Sequence, residues 1–180
     1  MMAQNHVPFA MSCWWLYATM TNLPIEVQGT MTAAIGGMMP DLDHPESALG
    51  RRMLLVSVPI SSLCGHRGVT HSLLAVVVLL WLLVAVTTLP AYQHLAWLIT
   101  PLIIGYLSHI LGDSLTPSGV PLLWPRKGNY SFNLFKTRSW QETVCVGIFT
   151  IGTVLIFGVW ERAFADFLAT VPKFPRGVAY

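Results

Sequence analysis

The chain has 180 residues, 54% of them hydrophobic and only 10% charged, against roughly 25% charged in an ordinary soluble domain. Ten Lys and Arg against eight Asp and Glu leave a net charge of +2, too balanced for the basic surface that a phosphate backbone demands, so no nucleic-acid partner is expected. The length suits a single domain over residues 1–180, and the segregation of apolar from polar residues makes that domain a membrane-embedded one.

In chain order, Val7 to Met20 and Val27 to Met39 are apolar but short, broken by Asn22, Pro24 and the Gly36-Gly37 pair. They read as short spans or re-entrant helices. The second holds Gly29, Thr30, Thr32, Ala33 and Ala34, small residues that let helices approach closely in lipid, and is expected to be buried against its neighbours. The N-terminus lacks the basic region of a secretory signal and is expected to stay in the mature chain. From Gly68 to Gly112 come 45 residues without Asp, Glu, Lys or Arg, about twice what one membrane helix requires. Two spans fit there: about Ser72 to Leu89, ending at Pro90, then a turn through Ala91-Tyr92-Gln93-His94 into about Leu95 to Leu111. A further uncharged run, Thr143 to Trp160, lies between Glu142 and Glu161 and reads as the last membrane helix. The expected fold is therefore all-α, a multi-span membrane bundle of about 3 to 5 transmembrane or re-entrant helices.

Arg51, Arg52 and Arg67 precede the long hairpin and Arg126, Lys127, Lys136 and Arg138 follow it, while its own turn has none. By the positive-inside rule both flanks are cytoplasmic. Cys13, Cys64 and Cys145 are far apart, odd in number and without CxxC spacing, so neither a disulfide framework nor a zinc motif is expected from them.

Five of the six histidines and three of the eight acidic residues fall in four compact places, each at the expected cytoplasmic end of an apolar segment. His6 stands just before Val7. In Pro40-Asp41-Leu42-Asp43-His44-Pro45, three potential ligands project from four positions that two prolines hold out of a helix. Carboxylate and imidazole at that density suit zinc or manganese. In Gly65-His66-Arg67-Gly68-Val69-Thr70-His71-Ser72 a polar turn becomes an apolar helix; His66 and His71 would point about 140° apart on a continuous helix, so joint action requires His66 to lie outside it. Thr70 and Ser72 read as helix caps, and Arg67 as a partner for a phosphate or carboxylate. In Ser108-His109-Ile110-Leu111-Gly112-Asp113, the two ionisable groups are four apart and share one helix face. His94 sits at the opposite end and reads as interfacial.

The hairpin brings His66, His71, His109 and Asp113 to one end. Eight candidate ligands (His6, Asp41, Asp43, His44, His66, His71, His109 and Asp113) exceed the four of one tetrahedral zinc, which leaves two ions, or one ion with supporting carboxylates, both open.

The set PDLDHP, GHRGVTHS and GYLSHILGDSLTPSGVPLLWP resembles the bacterial inner-membrane, metal-dependent hydrolase family (YdjM-like), also described as LexA-binding, inner membrane-associated hydrolases. The likeness covers about residues 3 to 130, with Asn5-His6 where that family has an N-terminal histidine. It implies a multi-helix protein of the bacterial inner membrane with the Asp and His residues as metal ligands.

The expected function is hydrolysis of an ester or phosphoester by a metal-activated water, with membrane lipid as surroundings and a small-molecule or lipid-linked substrate. Asp41 or Asp43 would serve as general base, and Arg67 or a second ion would stabilise developing charge. Two other classes remain: a metal-handling or transport protein, and a non-catalytic protein whose metal staples its helices. Against transport, the ligands gather at one membrane face instead of being spread through its depth. A serine hydrolase is disfavoured, because no GxSxG elbow is present.

Overall fold

Among the residues that the computed structural model describes, which are 1–47, 49–64, 68–158, 165 and 169–170, there are six α-helices and no strand beyond one isolated bridge. Helix α1, Ala3–Thr21, begins four residues earlier than the apolar run suggests, so His6 sits inside its first turns and not before them. It ends where Asn22 takes the left-handed conformation, φ 55°, that asparagine tolerates better than most residues. Helix α2, Val27–Gly36, is only ten residues long and is dominated by small side chains.

Those small residues set the central packing. A Cβ on Gly36 would stand 2.2 Å from the Leu102 carbonyl oxygen, and one on Gly105 would stand 2.0 Å from that of Ala33. Gly36 and Gly105 thus let α2 lie backbone to backbone on helix α5, Ile99–Ser114, as small residues do between helices in lipid. Helix α1 packs across the same pair, its Trp14 and Ala18 closing a core with Ile25 and Ala33. The expectation of a buried second helix is met: most of α2 is inaccessible.

A 3₁₀ turn over Pro40–Asp43 leads on to helix α3, Leu54–Cys64, an element not among the expected helices. Helix α4, Leu73–Thr87, is apolar on every face, and of its side chains only Val76 is buried. An exposed helix of Leu, Val and Trp finds no favourable solvent in water, but it does in hydrocarbon. The expected turn over Ala91–His94 is itself helical: Pro90–Leu98 forms a 3₁₀ stretch that runs into α5, because Pro90 suits a first helical position and nothing after it interrupts the winding. Together they make Pro90–Ser114, a 25-residue helix long and apolar enough to cross a membrane. Leu73–Thr87 and Trp140–Leu155 are apolar but shorter, and among the described residues Pro90–Ser114 alone is both long and apolar enough for a span.

After α5 the chain folds back over the helix end. Phe132 and Leu134 donate their backbone N–H groups to the Ser114 and Leu115 carbonyls at 2.7 and 2.8 Å, and Val120 and Tyr130 exchange a pair of hydrogen bonds. Carbonyls left open by the helix end are satisfied in this way. Helix α6, Trp140–Phe157, begins three residues before the expected run because Ser139 caps it, accepting from the Glu142 N–H.

Candidate metal centre

Four elements deliver ionisable side chains to one buried point. His6 comes from the start of α1, Asp41 and Asp43 from the Pro40–Asp43 turn, His71 from a 3₁₀ turn over Val69–His71, and His109 with Asp113 from the last turns of α5. His71 lies in the turn before α4, and Ser72 is the residue that caps α4, accepting from Ala75 at 3.3 Å. His71, His109 and Asp43 are fully buried, whereas Asp41 is 21% exposed. Such a concentration of charge-capable groups away from water is costly unless they share a partner.

The imidazole tautomers follow from their outer contacts. The Gly37 carbonyl, which can only accept, lies 2.7 Å from His109 Nδ1, so that nitrogen carries the proton. The Gly36–Gly105 approach makes this contact possible, since it brings the end of α2 to the face of α5 that holds His109. His71 Nδ1 faces Asp43 Oδ2 at 3.3 Å and Thr70 Oγ1 at 3.0 Å, while the Thr70 hydroxyl itself donates to Asp43 at 2.5 Å. His71 therefore also carries its proton on Nδ1. Both Nε2 lone pairs are left pointing inward, 3.3 Å from one another.

Carboxylate oxygens complete the set. Asp113 Oδ2 lies 3.6 Å from His71 Nε2 and 3.8 Å from His109 Nε2, and Asp41 Oδ1 lies 3.7 Å from His109 Nε2. Four donors on a tetrahedron around zinc, each about 2.0–2.1 Å from it, stand about 3.3–3.4 Å apart. The observed separations match that edge or exceed it by a few tenths of an ångström. The two imidazoles and Asp113 thus fit three corners around a divalent ion, with Asp41 close by, and each histidine has the outer hydrogen bond that metal-binding imidazoles ordinarily make.

A second group overlaps the first: His6, His109 and Asp113 also bring one ligand atom each within 4.8 Å of one another. His6 Nε2 is 3.4 Å from Asp113 Oδ1, which the Met1 backbone nitrogen also touches, and the His6 ring stacks on His109 with centroids 3.7 Å apart. His6 Nδ1 is buried with no partner among the described residues. Asp113 presents one oxygen to each group.

Asp43 does not join either group and instead holds His71. His44 lies aside, on the wall of a neighbouring cavity. His66 and Arg67 lie outside the described residues. Two cavities meet at Asp41: one of about 420 Å³ bordered by His6, Gly37 and Met38, and a polar one of about 460 Å³ that also reaches Asp113. A larger apolar cavity of about 570 Å³, between Leu16, Ile104, Leu107 and Leu111, holds none of the Asp and His cluster.

Sequence reasoning missed Glu142. This fully buried carboxylate accepts from Met2 N at 2.5 Å, Asn5 Nδ2 at 2.8 Å and Arg138 N at 3.0 Å, and so fixes the turn of α1 that carries His6. The Ser139-x-x-Glu142 spacing of a capping box was the available signal.

A family model described as YdjM inner membrane protein matches residues 1–171. The inner membrane protein YdjM of Escherichia coli (strain K12) is 35% identical over 173 residues, covering 89% of this chain and 82% of that protein, and its namesake in Shigella flexneri matches equally. The uncharacterized protein YvsG of Bacillus subtilis (strain 168) is 32% identical over 127 residues, 70% of this chain and 76% of that one. No solved structure matches. With a family match across nearly its whole length and a membrane-length helix ending in the Asp and His cluster, the chain belongs to the YdjM family of inner-membrane proteins.

Proposed function

We propose that this chain is a multi-pass inner-membrane hydrolase that uses a divalent metal, best matched by zinc with manganese as the alternative, to cleave an ester or phosphoester at the cytoplasmic edge of the membrane. The observation that carries the reading is the pair of inward lone pairs on His71 and His109, 3.3 Å apart and flanked by two carboxylates. Such a pair repels unless a cation lies between. A divalent ion held there supplies Lewis acidity and brings the ionisation of a water near neutral pH.

His71, His109 and Asp113 would hold the ion, which leaves a fourth position for the water. His6 either joins a second site through the other Asp113 oxygen or supports the first. Asp43 is committed to His71 and Thr70, so the general base falls to Asp41, the partly exposed carboxylate where the two cavities meet. Arg51, Arg52, Arg126, Lys127, Lys136 and Arg138 flank the long apolar stretch in the sequence, and the positive-inside rule supports a cytoplasmic position for the site.

The test is elemental analysis of the full chain, purified in detergent without added metal or a histidine tag, beside the His71→Ala, His109→Ala double variant. Near-stoichiometric zinc or manganese that disappears in the variant is expected, followed by metal-dependent cleavage of simple phosphoesters. Wild-type protein without metal overturns the reading. A structural staple is the second reading, because the ligands tie four separate elements together; metal without activity on any ester would favour it.

A further inference from the structure

The polar cavity beside the candidate metal centre carries more than ligands. Its wall includes Asp41 and Asp113 and, from opposite ends of the sequence, Arg51 and Arg138, with His44 and Glu46 nearby. Among the described residues neither guanidinium makes an ion pair or a hydrogen bond, and both residues are exposed. Arg138 is also held in an uncommon way. Its φ is 65°, a left-handed conformation that residues with a side chain adopt rarely, and its N–H is tied to the buried Glu142 carboxylate at 3.0 Å. The same carboxylate anchors Asn5, the neighbour of His6, so Arg138 and the centre share one support.

Two unpaired guanidiniums in one cavity with a divalent cation site suit a ligand with several charged oxygens, and the planar fork of arginine matches a phosphoryl group. We propose that Arg51 and Arg138 form a phosphoryl-binding pair beside the metal centre, which makes the substrate a phosphoester and not a neutral carboxylic ester. The inference rests on the hydrolase reading and names the group its substrate presents. The phosphoryl group could belong to a lipid headgroup or to a soluble phosphoester.

The experiment titrates inorganic phosphate into the zinc-loaded full chain in detergent by calorimetry, for the wild type, Arg51→Ala, Arg138→Ala and the double variant. Each single change should weaken phosphate binding about tenfold, as expected for losing one charge-assisted fork, while zinc content stays at the wild-type level. The Arg51→Lys, Arg138→Lys variant, which keeps the charge without the fork, should fall between. Equal binding by the wild type and the double alanine variant, or none by either, overturns the proposal. Zinc measured on the same samples separates the two readings: no zinc with arginine-dependent phosphate binding sinks the metal alone, and zinc with arginine-independent binding sinks this pair alone. Repeating the titration in phosphatidylcholine nanodiscs with and without phosphatidic acid identifies the source, since only a headgroup ligand will compete with phosphate.

Discussion

Alanine at position 105 places a methyl carbon 2.0 Å from the Ala33 carbonyl oxygen, whereas real Cβ contacts essentially never fall under 3.0 Å. Helices α2 and α5 must therefore separate by at least about 1.0 Å, the difference between those two distances. The Gly37 carbonyl, one residue beyond α2, moves with its helix, and its 2.7 Å contact with His109 Nδ1 stretches to about 3.7 Å. That is no longer a hydrogen bond. Overpacking of this kind costs roughly 1–3 kcal/mol, and loss of an outer hydrogen bond to a metal-binding imidazole lowers metal affinity roughly 10- to 100-fold. Gly105→Ala should therefore show both a lower melting temperature and weaker zinc retention in competition with a fluorescent chelator. Gly147→Ala is the control: a Cβ there meets nothing within 4 Å, so neither quantity should fall. If Gly105→Ala binds zinc as the wild type does, the argument that helix approach sets the His109 tautomer fails.

Two further changes probe the supports of the centre. Asp43→Asn removes the charge behind His71 Nδ1 without changing side-chain size, and should weaken zinc binding about tenfold or more by the same chelator assay while leaving the apo-protein's melting temperature nearly unchanged. Glu142→Ala leaves the Met2, Asn5 and Arg138 donors without their acceptor and should destabilise the protein by about 3 kcal/mol or more in denaturant unfolding, the scale for several hydrogen bonds to a charged group.

What could be read from the sequence was whatever depends on local spacing. His109 and Asp113 share a helix face because they are four apart, and the close packing of α2 follows from its run of Gly, Ala and Thr. The contact between His6 and Asp113 joins positions 107 apart through the crossing of α1 and α5, which no local pattern specifies. Asp41 and Asp43 look equivalent in Pro-Asp-Leu-Asp-His-Pro. Their different roles arise only because one side of the 3₁₀ turn faces His109 and the other faces His71. Glu142 was read as the polar boundary of an apolar run, its usual place in such sequences, and its burial depends on where the first helix docks. The span lengths went astray for another reason: an uncharged run does not mark where a helix starts, because helix starts are set by caps such as Ser72 and Ser139.

The Glu142 carboxylate has a consequence for the order of synthesis. His6 is made well before the side chain that steadies its helical turn, since Glu142 follows its partner Asn5 by 137 positions. A nascent chain that has reached Ser114 already contains His71, His109, Asp113 and Asp41, but not the anchor for His6. Metal captured at that stage would be held by α5 and the His71 turn alone, with α1 still able to swing. Only docking of α6 locks the turn of α1 that carries His6 in place, so occupancy that includes His6 would report that α6 has been made and inserted.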